Sequence, residues 1–225
     1  MGTIILVANT KGGAGKSTMA CNIAVVLAQQ TRDVLIFDAD RQSSSAEWQA
    51  ERKLHHADNP RITTVQRYGE IDETIESLAP RFDYTLIDVS GRDSDEMRSA
   101  LLICDVLLVP VRPSQFDLSS LHTMAGIVRN ASRINKKMAP YAFLSIAPTN
   151  PKGVEVEQAC ELIRSGYPEF VLMTTIIRDR KIYRDATAVG LGVTEVEDRA
   201  DSVKSAHAEM HALVEEFLRK TYKIE

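Results

Sequence analysis

The chain has 225 residues, 44% of them hydrophobic and 26% charged, the balance of an ordinary globular protein built around one large core. A net charge of −4 argues against constitutive tight binding to nucleic acid, so any such binding has to come from a local basic patch. No apolar run approaches the roughly 20 residues that span a bilayer, and the first residues lack the charged start and cleavage site of a signal peptide, so a cytoplasmic location is expected.

In chain order, short apolar runs alternate with helical patterns. Buried strands are expected at Ile4 to Ala8, Val34 to Asp38, Tyr84 to Asp88, Val106 to Val111, Ala142 to Ala147 and Phe170 to Thr174, with a weaker one at Ile62 to Val65. Helices are expected at Lys16 to Gln29, with Met19, Ile23 and Leu27 on one face, and at Ser44 to Lys53, Ile71 to Leu78, Ser119 to Ile134, Glu155 to Arg164 and Ala200 to Tyr222. This rhythm implies an α/β fold: a mostly parallel central sheet with helices on both faces, in a single domain over residues 1–225. Ligands in such folds bind at the carboxyl ends of the strands. There is no repeat, linker or low-complexity segment, and no helix-turn-helix precedes the first strand. Cys21, Cys104 and Cys160 sit in apolar patterns and read as small buried residues in a reducing compartment. His55 and His56 alone make a poor metal site.

The segment Asn9-Thr10-Lys11-Gly12-Gly13-Ala14-Gly15-Lys16-Ser17-Thr18 follows a strand and opens a helix, the context of a phosphate-binding loop. Backbone N–H groups of Gly12, Gly13, Ala14 and Gly15 can curl around phosphate oxygens, and the helix from Lys16 turns its positive end toward the anion. Lys16 is expected on the β- and γ-phosphates, the Ser17 hydroxyl on Mg²⁺ and Thr18 on the α-phosphate. Two further strands end in acid. Asp38 and Asp40 close Val34 to Asp38 and its following turn, and Asp88 closes Tyr84-Thr85-Leu86-Ile87-Asp88, a Walker B pattern suited to holding Mg²⁺ through water. Strand-end turn formation is the alternative role for Asp38 and Asp40. Gly91 can bring its N–H near the γ-phosphate, whereas Arg92 and Asp93 suggest no role. No guanine-reading N-K-x-D motif occurs, so ATP is expected as the cofactor, with Mg²⁺.

The form K-G-G-x-G-K-[ST] from Lys11 to Ser17, with Thr10 where the general motif has its first glycine, resembles the deviant Walker A motif of the ParA/MinD superfamily. Asp38-Ala39-Asp40-Arg41-Gln42 resembles its D-x-D-P-Q segment, with Arg41 in place of proline, and Pro110 to Leu118 resembles its P-x-x-P-S-x-x-D segment. The likeness runs from Ile4 to Val193 and is nearest the short ParA proteins without an operator-binding domain. It implies an ATP hydrolase that forms a homodimer when ATP is bound, with Lys11 reaching the phosphates of the partner's site. The alternative for Lys11 is a solvated loop lysine. Asp40 would orient the attacking water and Asp38 support the Mg²⁺ shell. Asp117 would lie at the interface or cap the following helix.

The base pocket is expected from Pro148, Thr149 and Asn150 and from Arg178 and Asp179, at the ends of the last two strands, though these also read as plain loop residues. The resemblance further implies non-specific DNA binding by the dimer and a ParB-like adaptor that stimulates hydrolysis. Three basic clusters are candidates for DNA contact: Arg180, Lys181 and Arg184; Arg129, Arg133, Lys136 and Lys137 on one helix; and Arg219, Lys220 and Lys223. Each also reads as a solvated face. The last helix carries Ala206, Met210, Leu213, Val214, Phe217 and Leu218 at helical spacing. Core packing explains them, and a MinD-like membrane anchor fits poorly because Glu209, Glu215 and Glu216 stand where such anchors are basic. A membrane contact is therefore not expected. A metabolic phosphate-loop enzyme, akin to nitrogenase iron protein or dethiobiotin synthetase, is a third class; the cysteines do not suit the former.

Overall fold

The computed structural model describes residues 2–150 and 154–223, apart from the side chains of 115–119. Seven strands form one sheet: β1 (Thr3–Val7), β2 (Val34–Asp38), β3 (Ile62–Gln66), β4 (Tyr84–Asp88), β5 (Val106–Val111), β6 (Ala139–Ala147) and β7 (Val171–Arg178). Their order is β3-β2-β4-β1-β5-β6-β7, and every neighbouring pair is parallel. Strands β1, β2 and β5 are buried along their whole length, which is why they read as continuous apolar runs rather than alternating ones.

Alternate side chains of each strand feed two cores. Ile4, Leu6, Phe37, Leu107 and Val109 point to one, where α3 (Asp72–Leu78), α4 (Asp95–Ile103), α5 (Gln115–Ile134) and α6 (Glu155–Gly166) pack. Ile5, Val7, Ile36, Val106 and Leu108 point to the other, where α1 (Lys16–Gln29), α2 (Ser44–His55), α7 (Lys181–Ala188) and α8 (Asp201–Tyr222) pack. Helix α1 lies between the sheet and α8 and is buried on nearly every side from Met19 to Ala28, so its apolar face is broader than one stripe.

Several expectations change. Helices α4 and α7 were not foreseen. Helix α5 begins at Gln115 rather than Ser119, so Asp117 lies inside the helix and does not cap it; its side chain is outside the described residues. Because α5 ends at Ile134, Lys136 and Lys137 lie beyond it and do not share its face with Arg129 and Arg133. Strand β7 continues to Arg178, which is therefore a strand residue. Cys21 and Cys104 are buried, but Cys160 is only half-buried.

Glu209 and Glu216 do not form a solvated polar face. Glu216 is 3% exposed and accepts hydrogen bonds from the Thr174 and Thr175 amides (2.7 and 2.8 Å) and from the Thr175 hydroxyl (2.7 Å). Glu209 accepts from the Arg178 amide (3.2 Å) and from the Arg180 guanidinium. Strand β7 is an edge, and these two carboxylates supply acceptors to amides that no further strand pairs. Burial alone would push the Glu216 carboxyl up, but the Thr174 and Thr175 donors outweigh it and hold the group below its ordinary value. Its stabilisation is therefore present at neutral pH and lost as the pH falls through that lowered value. Glu216→Ala should cost about 2–4 kcal/mol in urea unfolding at pH 7, from lost bonds and stranded amides. The deficit should shrink as the buffer is taken below about pH 4.

Candidate nucleotide site

Strand β1 runs into the phosphate loop, and the two strands ending in Asp38 and Asp88 are adjacent in register, with β4 also flanking β1. The topology thus places the loop and both carboxylates at one end of the sheet, as expected for an α/β fold. Gly15 caps α1 at φ 88°, a left-handed conformation that glycine adopts without strain, and its carbonyl accepts the first helical bond from Met19 N (2.8 Å). The loop is stitched to β5, α5 and β6. Asn9 Nδ2 donates to Pro110 O (2.7 Å), Thr10 Oγ1 to Ser120 O (3.2 Å) and Ser145 Oγ to Ala14 O (3.3 Å). Arg112, just past β5, donates through Nη2 to Gly13 O. Gly91 is pressed onto the loop: a Cβ there would lie 2.6 Å from Gly12 N and Cα, so no other residue fits.

A cleft of about 510 Å³ opens over the loop, with Lys16, Ser17, Thr18 and Asp40 among its walls. Lys16 is 7% exposed, and its Nζ donates to Lys11 O at 3.4 Å. Burial pushes its ammonium down, while Asp88 and Asp40 hold it up. Lys11 is half-buried beside it. Asp88 is fully buried; its Oδ2 accepts from Ser45 Oγ (2.5 Å), Ser17 lies close enough to lower the carboxyl's value, and Oδ1 has no partner among the described residues. A buried, unpartnered carboxylate oxygen beside a serine hydroxyl suits the water shell of Mg²⁺, so Ser17 and Asp88 fit that ion.

Asp38 behaves differently. Its Oδ1 accepts from Asp40 N (3.0 Å) and its Oδ2 from Ala46 N (2.8 Å), so both oxygens already fasten the turn and the first turn of α2. Asp40 Oδ1 accepts from Gln42 N (3.0 Å), leaving the other oxygen toward the cleft it lines. Arg41, where the resemblance expects proline, also lines the cleft, with its guanidinium 5.1 Å above the Tyr68 ring.

The residues proposed for the base come together but off this cleft. Arg178 Nη1 donates to Pro148 O (2.6 Å) and Asp179 N to Ala147 O (2.7 Å), with Thr149 exposed beside them. Each cation of the Arg180 cluster faces an acid: Arg180 pairs with Glu209 (2.8 Å), Lys181 with Asp185 (2.7 Å) and Arg184 with Asp179 (2.6 Å). Two side chains at the site went unread in the sequence. Ser45 could have been suspected from the hydroxyl run after Asp40-Arg41-Gln42. Arg112 bonds a residue 99 positions away, and nothing in the chain order announces that contact.

Burial pushes the Asp88 carboxyl up to about 6, against the Ser45 and Ser17 hydrogen bonds that lower it; Asp38 adds to the rise and Lys16 opposes it. An acid whose value is raised on folding stabilises the metal-free protein at low pH and loses that contribution as the pH climbs through about 6. With a chelator present, wild type should lose up to about 3 kcal/mol of stability between pH 4 and 7 relative to Asp88→Asn, read by urea unfolding. Parallel curves for the two proteins would contradict this.

Comparison with known proteins adds the family. The CbiA model, the CobQ/CobB/MinD/ParA nucleotide-binding domain, matches residues 5–206. A maintenance of carboxysome distribution protein A from Gloeobacter kilaueensis is 30% identical over 96% of this chain and 94% of its own length. Its counterpart from Halothiobacillus neapolitanus is 28% identical over 95% of each. Among solved structures, a Cyanothece McdA variant in complex with ATP superposes with a TM-score of 0.79 at 15% identity, covering 100% of this chain and 97% of that one, a likeness of fold. With a family model spanning most of its length and a relative at this level of identity, the chain belongs to the CobQ/CobB/MinD/ParA family of nucleotide-binding proteins.

Proposed function

We propose that this chain is a Mg²⁺-dependent ATP hydrolase of ParA type, which dimerises on ATP, binds DNA without sequence preference and positions a cargo, with hydrolysis stimulated by a ParB-like adaptor. The observation that carries it is the pairing of a half-buried Lys11 with a buried Lys16 on one glycine-lined loop, beside the unpartnered Asp88 oxygen. Lys16 neutralises phosphate charge within its own subunit. Lys11 serves the phosphates of a second copy, which makes dimerisation depend on the nucleotide. Ser17 and Asp88 hold Mg²⁺, which when bound offsets charge on the β- and γ-phosphates. Asp40 orients the attacking water; positioning matters more than basicity in this chemistry. Pro148, Thr149, Arg178 and Asp179 take the adenine.

The charge pattern supports DNA binding that depends on assembly. The chain is acidic overall and the Arg180 cluster is balanced by acids, so one subunit offers few contacts. A dimer doubles them, and each phosphate contact adds about 0.9 to the salt slope. A membrane-bound mode draws no support: Ala206, Met210, Leu213, Val214 and Phe217 are all buried in the core. Likeness to two carboxysome-distribution proteins supports a protein assembly as cargo alongside a plasmid or chromosome.

Gel filtration with Mg²⁺ and a non-hydrolysable ATP analogue tests the reading. Wild type should elute as a dimer and Lys11→Ala as a monomer that still binds nucleotide, while Lys16→Ala binds none. The dimer should shift non-specific duplex DNA, less so as salt rises. A wild type that stays monomeric with the analogue bound would sink the proposal.

A further inference from the structure

We propose that Arg92 supplies a cation, within its own subunit, to the terminal phosphate of the bound nucleotide. The inference rests on the ATP-hydrolase reading and adds a third positive group to the two lysines of the loop. Arg92 lines the phosphate cleft together with Gly12, Gly13 and Lys16. Its position is built. The preceding Gly91 is pressed against Gly12, and a Cβ there would lie 2.6 Å from that residue's N and Cα. The following Asp93 is turned away to pair with Arg98, accepting from Nε at 2.7 Å. Ser94 caps α4, its hydroxyl accepting from Met97 N at 3.3 Å. Both flanks of residue 92 are thus pinned, and the guanidinium between them makes no hydrogen bond or ion pair among the described residues.

The two other guanidinium groups near the loop are engaged. Arg41 sits over the Tyr68 ring, and Arg112 bonds Gly13 O. An exposed guanidinium with its donors unclaimed, held at the rim of a phosphate cleft, matches the fork geometry of phosphoryl oxygens. The terminal phosphate is the group it would meet, because Gly91 sets it beside Gly12, at the far end of the loop from Thr18. In hydrolysis the water oxygen bonds to the γ-phosphorus as the bond to the bridging oxygen breaks; that bond's electron pair stays with ADP and the water's proton passes to an oxygen of the released phosphate, giving ADP and inorganic phosphate. Arg92 transfers no proton in this step; it balances charge on the non-bridging oxygens, as an arginine supplied in cis does elsewhere.

Calorimetric titration of Mg·AMPPNP and Mg·ADP into wild type, Arg92→Ala and Arg92→Lys tests this, repeated in a Lys11→Ala background that stays monomeric. Arg92→Ala should weaken AMPPNP binding by about 10- to 100-fold and leave ADP binding within about twofold. Arg92→Lys should recover part of the loss, and single-turnover hydrolysis should fall further than binding does. Equal losses for the two nucleotides, or no loss for either, would overturn the assignment. So would a loss that disappears in the monomeric background, since the contact would then belong to the partner. If wild type binds no AMPPNP at all, the ATP-hydrolase reading itself falls, an outcome separable from failure at Arg92 alone. The side chain is exposed, so an unchanged melting temperature for Arg92→Ala is expected and excludes misfolding as the cause.

Discussion

Asp38 and Asp88 end adjacent strands opposite one another, and neither is exposed to solvent. Two like charges in so dry a place repel, and each carboxylate costs several kcal/mol unless donors reach it. Much of the surrounding structure meets that demand. Ser45, Ala46 N and Asp40 N turn inward from the segment after β2, and Ser17 and Lys16 approach from the start of α1. The loop over the phosphates and the first turn of α2 are therefore fastened to the same pair of acids. The burial left unmet on Asp88 Oδ1 is what would favour a cation there under the proposed function.

The far end of α2 is fixed as firmly. Arg52 is 2% exposed and forms a two-pronged pair with Glu195 at 2.6 Å for each contact, while also donating to Gly190 O and Pro60 O. Trp48, one turn earlier, donates to Leu191 O (3.1 Å). A buried pair of this kind adds little net stability compared with apolar packing, but breaking one partner is costly, so it defines a position rather than strengthening the fold. Gly190 belongs to the same joint, since a Cβ there would lie 2.3 Å from Arg52 N. The strand-end acids thus hold the first turn of α2, a helix of 12 residues, and this joint holds its later turns. Any shift of Ser45 or Ala46 that accompanies a ligand has to be absorbed within that helix or passed to the segment that follows α7.

The sheet and the site core were legible in the sequence because each rested on a local signal. A largely apolar run closed by an acid can be read without knowing its neighbours, and Val34 to Asp38 and Tyr84 to Asp88 were such runs. What escaped reading depended on partners far away in the chain. Helix α4 carries a clear start, Ser94 with Asp95 and Glu96 in its first turn, but its apolar end runs into Cys104 and β5 and blurs the boundary. Glu209 and Glu216 look like a polar face by periodicity. Seven residues apart, they in fact lie along β7, whose unpaired amides the helix sequence cannot reveal. Arg112 was invisible as a site residue for the same reason.

The distribution of ion pairs bears on how an acidic protein could grip a polyanion in the proposed DNA-bound state. Lys181 with Asp185 and Arg184 with Asp179 are exposed pairs, and such pairs are worth about 0–1 kcal/mol. A phosphate can displace those carboxylates at little cost, provided the acids swing away into water. Arg180 is different: it and Glu209 are 19% and 14% exposed, and Glu209 also serves the Arg178 amide and the Tyr183 hydroxyl. Taking Arg180 away would strand a carboxylate that is also stitching the sheet edge. Of the three cations in that cluster, Lys181 and Arg184 are the ones free to be exchanged, and Arg180 belongs to the scaffold that presents them.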